Sequence, residues 1–134
     1  STFKYCANYG DITAVKSYAA GIAYSLYGQV NASYCYNAGS VFGDDGAGAI
    51  APKAAYGAGD KASYCLNAGA ISSTNGSVYQ GSNNNVSSYY YDGETLKNVA
   101  NNTEVAQNDA LNLLNGGTDK TFFSVSDGKI AVVK

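Results

Sequence analysis

A nine-residue phrase recurs through the first half of the chain and limits the folds that it can adopt. SYCYNAGSV occupies residues 33–41, SYCLNAGAI occupies residues 63–71, and a looser copy, KYCANYGDI, occupies residues 4–12. A further degenerate copy, SYYYDGETL, occupies residues 88–96. A unit of about thirty residues with two or three short strands cannot bury its apolar face alone, so it must stack against the next copy.

Each copy places a cysteine, an asparagine and a glycine at matched positions. These are Cys6, Asn8 and Gly10, then Cys35, Asn37 and Gly39, then Cys65, Asn67 and Gly69. A second shared segment lies between the phrases, where AAGIAYSLYG at 19–28 matches GAGAIAPKAAYG at 46–57 and a shortened version spans 74–85. Short apolar stretches between Gly, Asn and Ser favour strands and turns. We therefore predict an all-β fold, a parallel β-solenoid of three to four coils of about 30 residues over 1–92.

The repeated residues suggest structural roles. The asparagines suit a turn, where the amide bonds to backbone or stacks in a ladder, and the glycines suit a corner with positive φ. Strict alternation over 30–37 would place Cys35 on the polar side. A bend near Ser33 would turn Cys35 into the interior, which is the orientation that we favour. The odd number of cysteines and their direct stacking disfavour a disulfide, so we predict thiols.

Tyrosines form the most distinctive candidate binding set. Tyr5, Tyr34, Tyr64 and Tyr89 are predicted to be equivalent, as are Tyr36 and Tyr91, so that each set forms a row in a solenoid. An exposed row would offer a flat aromatic surface to sugar rings or to a protein partner. A buried row would only pack, and this is the interpretation that we favour.

The segment 93–134 changes in character and is predicted to be a capping segment within one structural domain. A helix is predicted over 103–115, with Thr103 as the N-cap and Glu104 in the first turn. A hairpin should follow, with Asp127-Gly128 as its turn. We expect this segment to cover the open end of the last coil, which would otherwise expose strand edges.

Little in the composition supports catalysis. The chain has no histidine, which excludes a Ser-His or Cys-His nucleophile pair within it. The acid pairs Asp44-Asp45 and Asp92 with Glu94 adjoin glycines and are interpreted as solvated turn acids. A calcium site at Asp44, Asp45 and Asp60 lacks the spacing of known calcium loops. We predict no catalytic residue, no metal and no cofactor.

The charge excludes one class of partner. The formal net charge is −2, and the eight basic residues, all lysines, are scattered along the sequence. Nucleic-acid binding needs clustered Lys and Arg, so it is not expected. The chain begins with Ser, contains no Met and shows no signal peptide or apolar run long enough for a membrane helix, so we interpret it as an excised piece of a longer protein.

The paired phrases resemble a known repeat family. SYCYNAGSV followed by GAGAIA, together with SYCLNAGAI, is similar to the Cys-Tyr-Asn-x-Gly repeats of bacterial surface proteins of the GLUG-motif type, over roughly residues 3–92. Those repeats alternate an NCYNTGxV phrase with a GGIxG phrase, and Tyr5, Tyr34 and Tyr64 stand where Asn often occurs. The resemblance implies an extracellular β-solenoid segment of a large adhesin-like or protease-associated protein, with no catalytic residues.

These observations lead to one functional expectation and two alternatives. We expect a non-enzymatic module of a secreted or cell-surface bacterial protein that serves adhesion, ligand display or partner binding, with a glycan or a host or cell-surface protein as partner. One alternative is a structural spacer in a large surface protein. The less favoured alternative is a carbohydrate-active β-helix enzyme, which would need a cleft of acids and bases that the sequence does not indicate.

Overall fold

The structure, a computed structural model, describes residues 2–26, 31–54, 62–82, 88–116 and 122–132. Within these ranges the chain is mostly strands with one short helix. This content agrees with the all-β class that the sequence predicts.

Three successive repeats contain short strands in the same order. The first repeat holds β1 (Thr2–Lys4), β2 (Ala7–Asn8), β3 (Ile12–Ala14), β4 (Tyr18–Ala20) and β5 (Ser25–Leu26). The second repeat holds β6 (Asn31–Ser33), β7 (Tyr36–Asn37), β8 (Val41–Gly43), β9 (Gly46–Gly48) and β10 (Lys53–Ala54). The third repeat holds β11 (Ala62–Ser63), β12 (Leu66–Asn67), β13 (Ile71–Ser72) and β14 (Val78–Tyr79).

The sheets run across the repeats rather than within them. The parallel ladders are β1-β6-β11, β2-β7-β12, β3-β8-β13, β4-β9-β14 and β5-β10. Asn8 is in register with Asn37, and Asn37 with Asn67. Each recurring phrase therefore lies directly against the same phrase of the neighbouring repeat.

A tyrosine, rather than a glycine, bends the backbone ahead of each cysteine. Tyr5, Tyr34 and Tyr64 have positive φ angles of 57°, 54° and 54°. This left-handed conformation is uncommon for a bulky residue, and it interrupts the alternation of side chains along the strand. The inward orientation is therefore confirmed for Cys35 and Cys65, which are buried. The bend lies one residue beyond the predicted position, Ser33.

The fourth copy of the phrase pairs in a register different from the predicted one. The strand β15 (Tyr89–Asp92) pairs in parallel with β12, and β16 (Thr95–Asn98) pairs antiparallel with β15. Leu66 faces Tyr89, so Tyr89 shares a row with Tyr36 and Leu66. The predicted equivalences of Tyr89 with Tyr64 and of Tyr91 with Tyr36 are wrong.

Ser88 gives the physical reason for this register. Ser88 lies beside Cys65, directly before the neighbouring strand β15, although the two residues are 23 apart in the sequence. Its hydroxyl accepts from the Cys65 N–H at 3.2 Å and donates to the Ala62 carbonyl at 2.9 Å. A serine at this position can satisfy both buried backbone groups. This gain outweighs the resemblance between SYYYD and SYCYN, which would place Tyr90 beside Cys65 instead of Ser88.

The C-terminal segment holds α1 (Gln107–Asn115) and a hairpin of β17 (Phe123–Ser126) and β18 (Lys129–Val132). The hairpin turn is confirmed, because Asp127 and Gly128 have φ of 52° and 83°. The predicted N-cap Thr103 is wrong, since α1 begins after Ala106 without a side-chain cap. Glu104 is not in the first turn of the helix either, because it forms an isolated antiparallel bridge with Lys97.

The helix and hairpin pack along the tyrosine side of the repeats. One core cluster joins the repeat residues Tyr34 and Tyr36 to Leu114, Phe123 and Ile130 of the C-terminal segment. We expected this segment over the end of the last coil. There, β15 covers β12, while β11, β13 and β14 are edge strands among the described residues. The tyrosine side attracts the segment because it offers a large apolar surface to bury.

Candidate functional site

The asparagines form a continuous hydrogen-bonded ladder, which we call the Asn column (Asn8, Asn37 and Asn67). Asn8 Nδ2 donates to Asn37 Oδ1 at 2.9 Å, and Asn37 Nδ2 donates to Asn67 Oδ1 at 2.8 Å. Each Nδ2 also donates to the carbonyl two residues later, at 2.8, 2.9 and 3.0 Å. The ladder role is confirmed, and the ladder extends one residue beyond the predicted set, because Asn67 Nδ2 donates to Gln80 Oε1 at 2.7 Å.

The glycines of the phrase serve close approach, and the predicted positive φ at Gly10, Gly39 and Gly69 is wrong. A Cβ at Gly39 would collide with the Gly10 carbonyl, and a Cβ at Gly69 would collide with the Gly39 carbonyl. At Gly10 the nearest atom to such a Cβ would be Asn8 Oδ1, at 3.9 Å. The phrase therefore needs glycine wherever the preceding repeat lies directly against it.

The cysteines line the interior in what we call the Cys column (Cys6, Cys35 and Cys65). All three are free thiols, and Cys6 is only half-buried. Cys35 Sγ donates to the Ser33 carbonyl at 3.3 Å, and Cys65 Sγ donates to the Ser63 carbonyl at 3.4 Å. Burial raises the pKa of the Cys65 thiol well above its ordinary value. The Cys65 thiol is therefore suited to packing rather than to nucleophilic chemistry, whereas its hydrogen bond with Cys35 lowers the pKa of the Cys35 thiol to about 7.

Three tyrosines form the stacked arrangement that the repeat predicts. The ring centroids of Tyr5 and Tyr34 lie 5.5 Å apart and those of Tyr34 and Tyr64 lie 5.4 Å apart, with interplanar angles of 15° and 10°. Tyr34 is buried, Tyr64 is half-buried and Tyr5 is 40% exposed. Phe122 lies edge-on to Tyr5 at 5.3 Å. The row is thus buried at Tyr34 and exposed at Tyr5.

Tyr36, Tyr89 and Tyr91 are buried in the same core, and burial raises the pKa of each. The Tyr91 hydroxyl donates to Gln107 Oε1 at 2.8 Å and accepts from the Ile130 N–H at 2.8 Å. The suggestion that these three residues and Tyr34 belong to an exposed aromatic binding surface is therefore wrong. The physical reason is that α1 and its hairpin cover the side on which these tyrosines lie.

A different pocket, of about 340 Å³, opens on the ladder β4-β9-β14, and we call it the ladder pocket. Its lining residues are Tyr18, Asp45, Gly46, Pro52, Gly76, Ser77 and Tyr79. The ladder register puts Tyr18 beside Gly46, and Tyr79 beside Gly48. The middle strand thus carries glycines where its two neighbours carry tyrosines.

Gly46 forms the floor of the ladder pocket. It has a φ of +154°, in a region that few residues other than glycine adopt. A Cβ there would lie 2.9 and 3.0 Å from two atoms of the Tyr18 ring. The absent side chain lets the ring lie over the strand and keeps the pocket open.

The ladder pocket combines aromatic and hydrogen-bonding groups. Tyr18 and Tyr79 are half-buried, whereas Asp45 and Ser77 are exposed. Tyr18 also contacts Tyr24 edge-on, with the ring centroids 6.2 Å apart. The sequence signal for this site is GAG at 46–48 aligned with YAA at 18–20, which lies outside the cysteine phrase.

Three of the acids considered above, Asp44, Asp92 and Glu94, have structural partners. Asp44 Oδ2 accepts from the Lys16 N–H at 3.0 Å, and Asp92 pairs with Lys97 at 2.8 Å. Glu94 pairs with Lys129 at 3.3 Å. No group of three or more metal-ligating side chains occurs in the part of the chain that the structure describes, and Asp60 lies outside it.

Among the described residues, no helix has the length and apolar character needed to cross a membrane. Comparisons with protein-family models, with curated proteins and with solved structures gave no match.

Proposed function

We propose that the chain is a non-catalytic β-solenoid module of an exported bacterial surface protein, and that it binds neutral glycans in the ladder pocket. The observation that carries the binding proposal is the placement of Tyr18 and Tyr79 on either side of a glycine floor, with Asp45 and Ser77 at the rim. The location outside the cell rests on the resemblance of the repeated phrase to surface-protein repeats.

The solenoid interpretation is supported by the pairing between repeats. Five parallel ladders join the first two repeats, and four of them continue into the third. In a solenoid, each repeat contributes one coil and contacts mainly its neighbours. The Asn column and the stacked tyrosines are what such coils produce when one phrase recurs in register.

The glycan interpretation is supported by the chemistry of the pocket walls. Sugar rings present C–H faces that pack on aromatic rings, and their hydroxyls bond to carboxylate and hydroxyl groups. A volume of about 340 Å³ lies at the lower end of the range for small-molecule pockets, about 300–1,000 Å³. One or two sugar rings of a longer chain would fit.

Binding without catalysis follows from the count of carboxylates. Glycoside hydrolysis needs a pair of carboxyl groups on opposite sides of the scissile bond. Among the residues that line the ladder pocket, Asp45 supplies one. The pocket can orient a sugar, and we propose that it does not cleave it.

The test is binding of the full chain to an array of neutral and acidic oligosaccharides, alongside the variants Tyr79→Ala and Tyr9→Ala. Tyr9 is a matched control because it is 48% exposed and lies outside the ladder pocket. We expect binding to at least one neutral oligosaccharide, lost in Tyr79→Ala and kept in Tyr9→Ala. Equal binding by both variants would contradict the site, and binding to no glycan would favour the spacer role.

A further inference from the structure

We propose that the N-terminal face of the stack, formed by β1, β2, β3, β4 and β5, is a docking surface for one further repeat that carries the Cys-x-Asn-x-Gly phrase. The inference rests on the solenoid arrangement proposed above and is independent of glycan binding. In the part of the chain that the structure describes, all five strands lie at the edge of their sheets on this side. An edge strand offers backbone groups to an added strand.

The same residue positions are less buried in the first repeat than in the second. Cys6 is half-buried whereas Cys35 is buried, and Ile12 is half-buried whereas Val41 is buried. Tyr5 is 40% exposed, whereas Tyr34 is 9% exposed. The first repeat lies against Cys35, Val41 and Tyr34 of the second repeat, whereas among the described residues no repeat lies against the N-terminal face of the first.

The Asn column shows what kind of neighbour fits. Asn37 Oδ1 accepts from Asn8 Nδ2 at 2.9 Å, across the boundary between repeats. Among the described residues, Asn8 Oδ1 accepts from the Gly10 N–H of its own repeat, at 3.3 Å. The equivalent inter-repeat bond would come from the Asn Nδ2 of a preceding repeat.

Gly10 provides the second element of fit. A Cβ at Gly39 would collide with the Gly10 carbonyl, because the two repeats approach closely there. At Gly10 the same Cβ would meet only Asn8 Oδ1, at 3.9 Å. The lack of a side chain at Gly10 thus serves no contact in the described structure, and it leaves room for the corner of another repeat.

The backbone supports the same occupant. Tyr36 N–H donates to the Cys6 carbonyl and Ala38 N–H donates to the Asn8 carbonyl, each at 2.8 Å. Leu66 and Ala68 repeat the pattern one repeat later, at 2.9 and 2.8 Å. A repeat with the same phrase would continue the ladder in register. A second whole copy of the chain fits less well, because β15 and β16 cover β12 at its opposite end.

The experiment adds such a repeat and follows the thiol of Cys6. In the fusion, a copy of residues 31–59 is placed directly before Ser1. The Asn31 of the copy then precedes Thr2 by the same number of residues as Ala32 precedes Ala62, its partner in the native ladder. Four proteins are compared: the full chain, the fusion, and both with Gly10→Ala. Iodoacetamide labelling is quantified at each cysteine by peptide mass spectrometry.

We expect the fusion to label Cys6 about tenfold more slowly than the full chain, since docking would enclose the thiol. Gly10→Ala should leave the full chain unchanged and should restore fast labelling of Cys6 in the fusion. Equal labelling of Cys6 in the fusion and the full chain would overturn the proposal, as would a fusion that is insensitive to Gly10→Ala. Fast labelling of Cys35 and Cys65 in the full chain would instead overturn the solenoid arrangement itself.

Discussion

Replacing Gly39 with alanine tests the close stacking of repeats at one atom. The added Cβ would collide with the Gly10 carbonyl of the neighbouring repeat. Gly10→Ala is the matched control, because the same change there meets only Asn8 Oδ1, at 3.9 Å. Neither glycine has a positive φ, so alanine is compatible with the backbone at both positions.

The size of the effect follows from what must move. A Cβ that overlaps a backbone carbonyl can be relieved only by separating the two repeats, and overpacking of this kind costs about 1–3 kcal/mol. Separation also lengthens two bonds between the repeats, from Ala38 N–H to the Asn8 carbonyl at 2.8 Å and from Asn8 Nδ2 to Asn37 Oδ1 at 2.9 Å. At about 1 kcal/mol each, they bring the expected loss to about 3–5 kcal/mol.

Urea unfolding followed by circular dichroism would measure the two variants side by side. Both lose a glycine, so both gain about 0.4–1 kcal/mol from a less flexible unfolded chain. The difference between the variants therefore isolates the collision in the folded state. We expect Gly10→Ala to be neutral or slightly stabilising and Gly39→Ala to be strongly destabilised, or unfolded outright.

Equal unfolding free energies for the two variants, within about 0.5 kcal/mol, would refute the reasoning. That result would mean that the second repeat does not lie against the first in the register described. A Gly10→Ala variant that is destabilised as much as Gly39→Ala would have the same meaning.

Three further predictions concern the tyrosine side and the buried thiols. Tyr91→Phe should lower the unfolding free energy by about 1–3 kcal/mol, because the Ile130 N–H would lose its buried acceptor; an unchanged urea midpoint would contradict this. Between pH 9 and 10, the unfolding free energy should fall with rising pH by up to about 1.4 kcal/mol per unit. The reason is that burial holds the Cys65 pKa above its ordinary 9.0, so that only the unfolded thiol loses its proton. Cys65→Ala should show a shallower fall, and equal slopes for the two proteins would contradict this prediction. A chain that ends at Tyr91 should aggregate, because the covered tyrosines become exposed, whereas a monomer that melts like the full chain would show that the C-terminal segment is dispensable.

The sequence alone was enough to predict the features that depend on repetition. The period, the Asn column and the free thiols follow from one phrase that recurs at nearly constant spacing, because identical residues in stacked repeats must meet. The hairpin turn at Asp127-Gly128 was predictable for a local reason, since this pair adopts positive φ readily.

The errors arise where contacts between distant segments decide the structure. The predicted helix start at Thr103 was wrong because the Thr103 carbonyl accepts from the Asn98 N–H, and the Val105 N–H donates to the Leu96 carbonyl. These bonds hold the segment against β16 and delay the helix. Local capping preferences cannot reveal such pairing.

The positive φ assigned to the phrase glycines was also wrong. Gly39 lies where two backbones approach, whereas the left-handed bend falls on Tyr34, a residue type that rarely adopts it. The ladder pocket escaped prediction for a related reason. It depends on tyrosines of the first and third repeats that lie beside glycines of the second, and this requires the register of the ladder to be known.

The central claim, in-register parallel stacking of the repeats, is tested most directly by scalar couplings across hydrogen bonds in an isotope-labelled sample. The account predicts couplings from the Tyr36 amide nitrogen to the Cys6 carbonyl carbon and from the Leu66 amide nitrogen to the Cys35 carbonyl carbon, across bonds of 2.8 and 2.9 Å. Couplings from these amides to residues of their own repeat, as antiparallel hairpins would give, would contradict it.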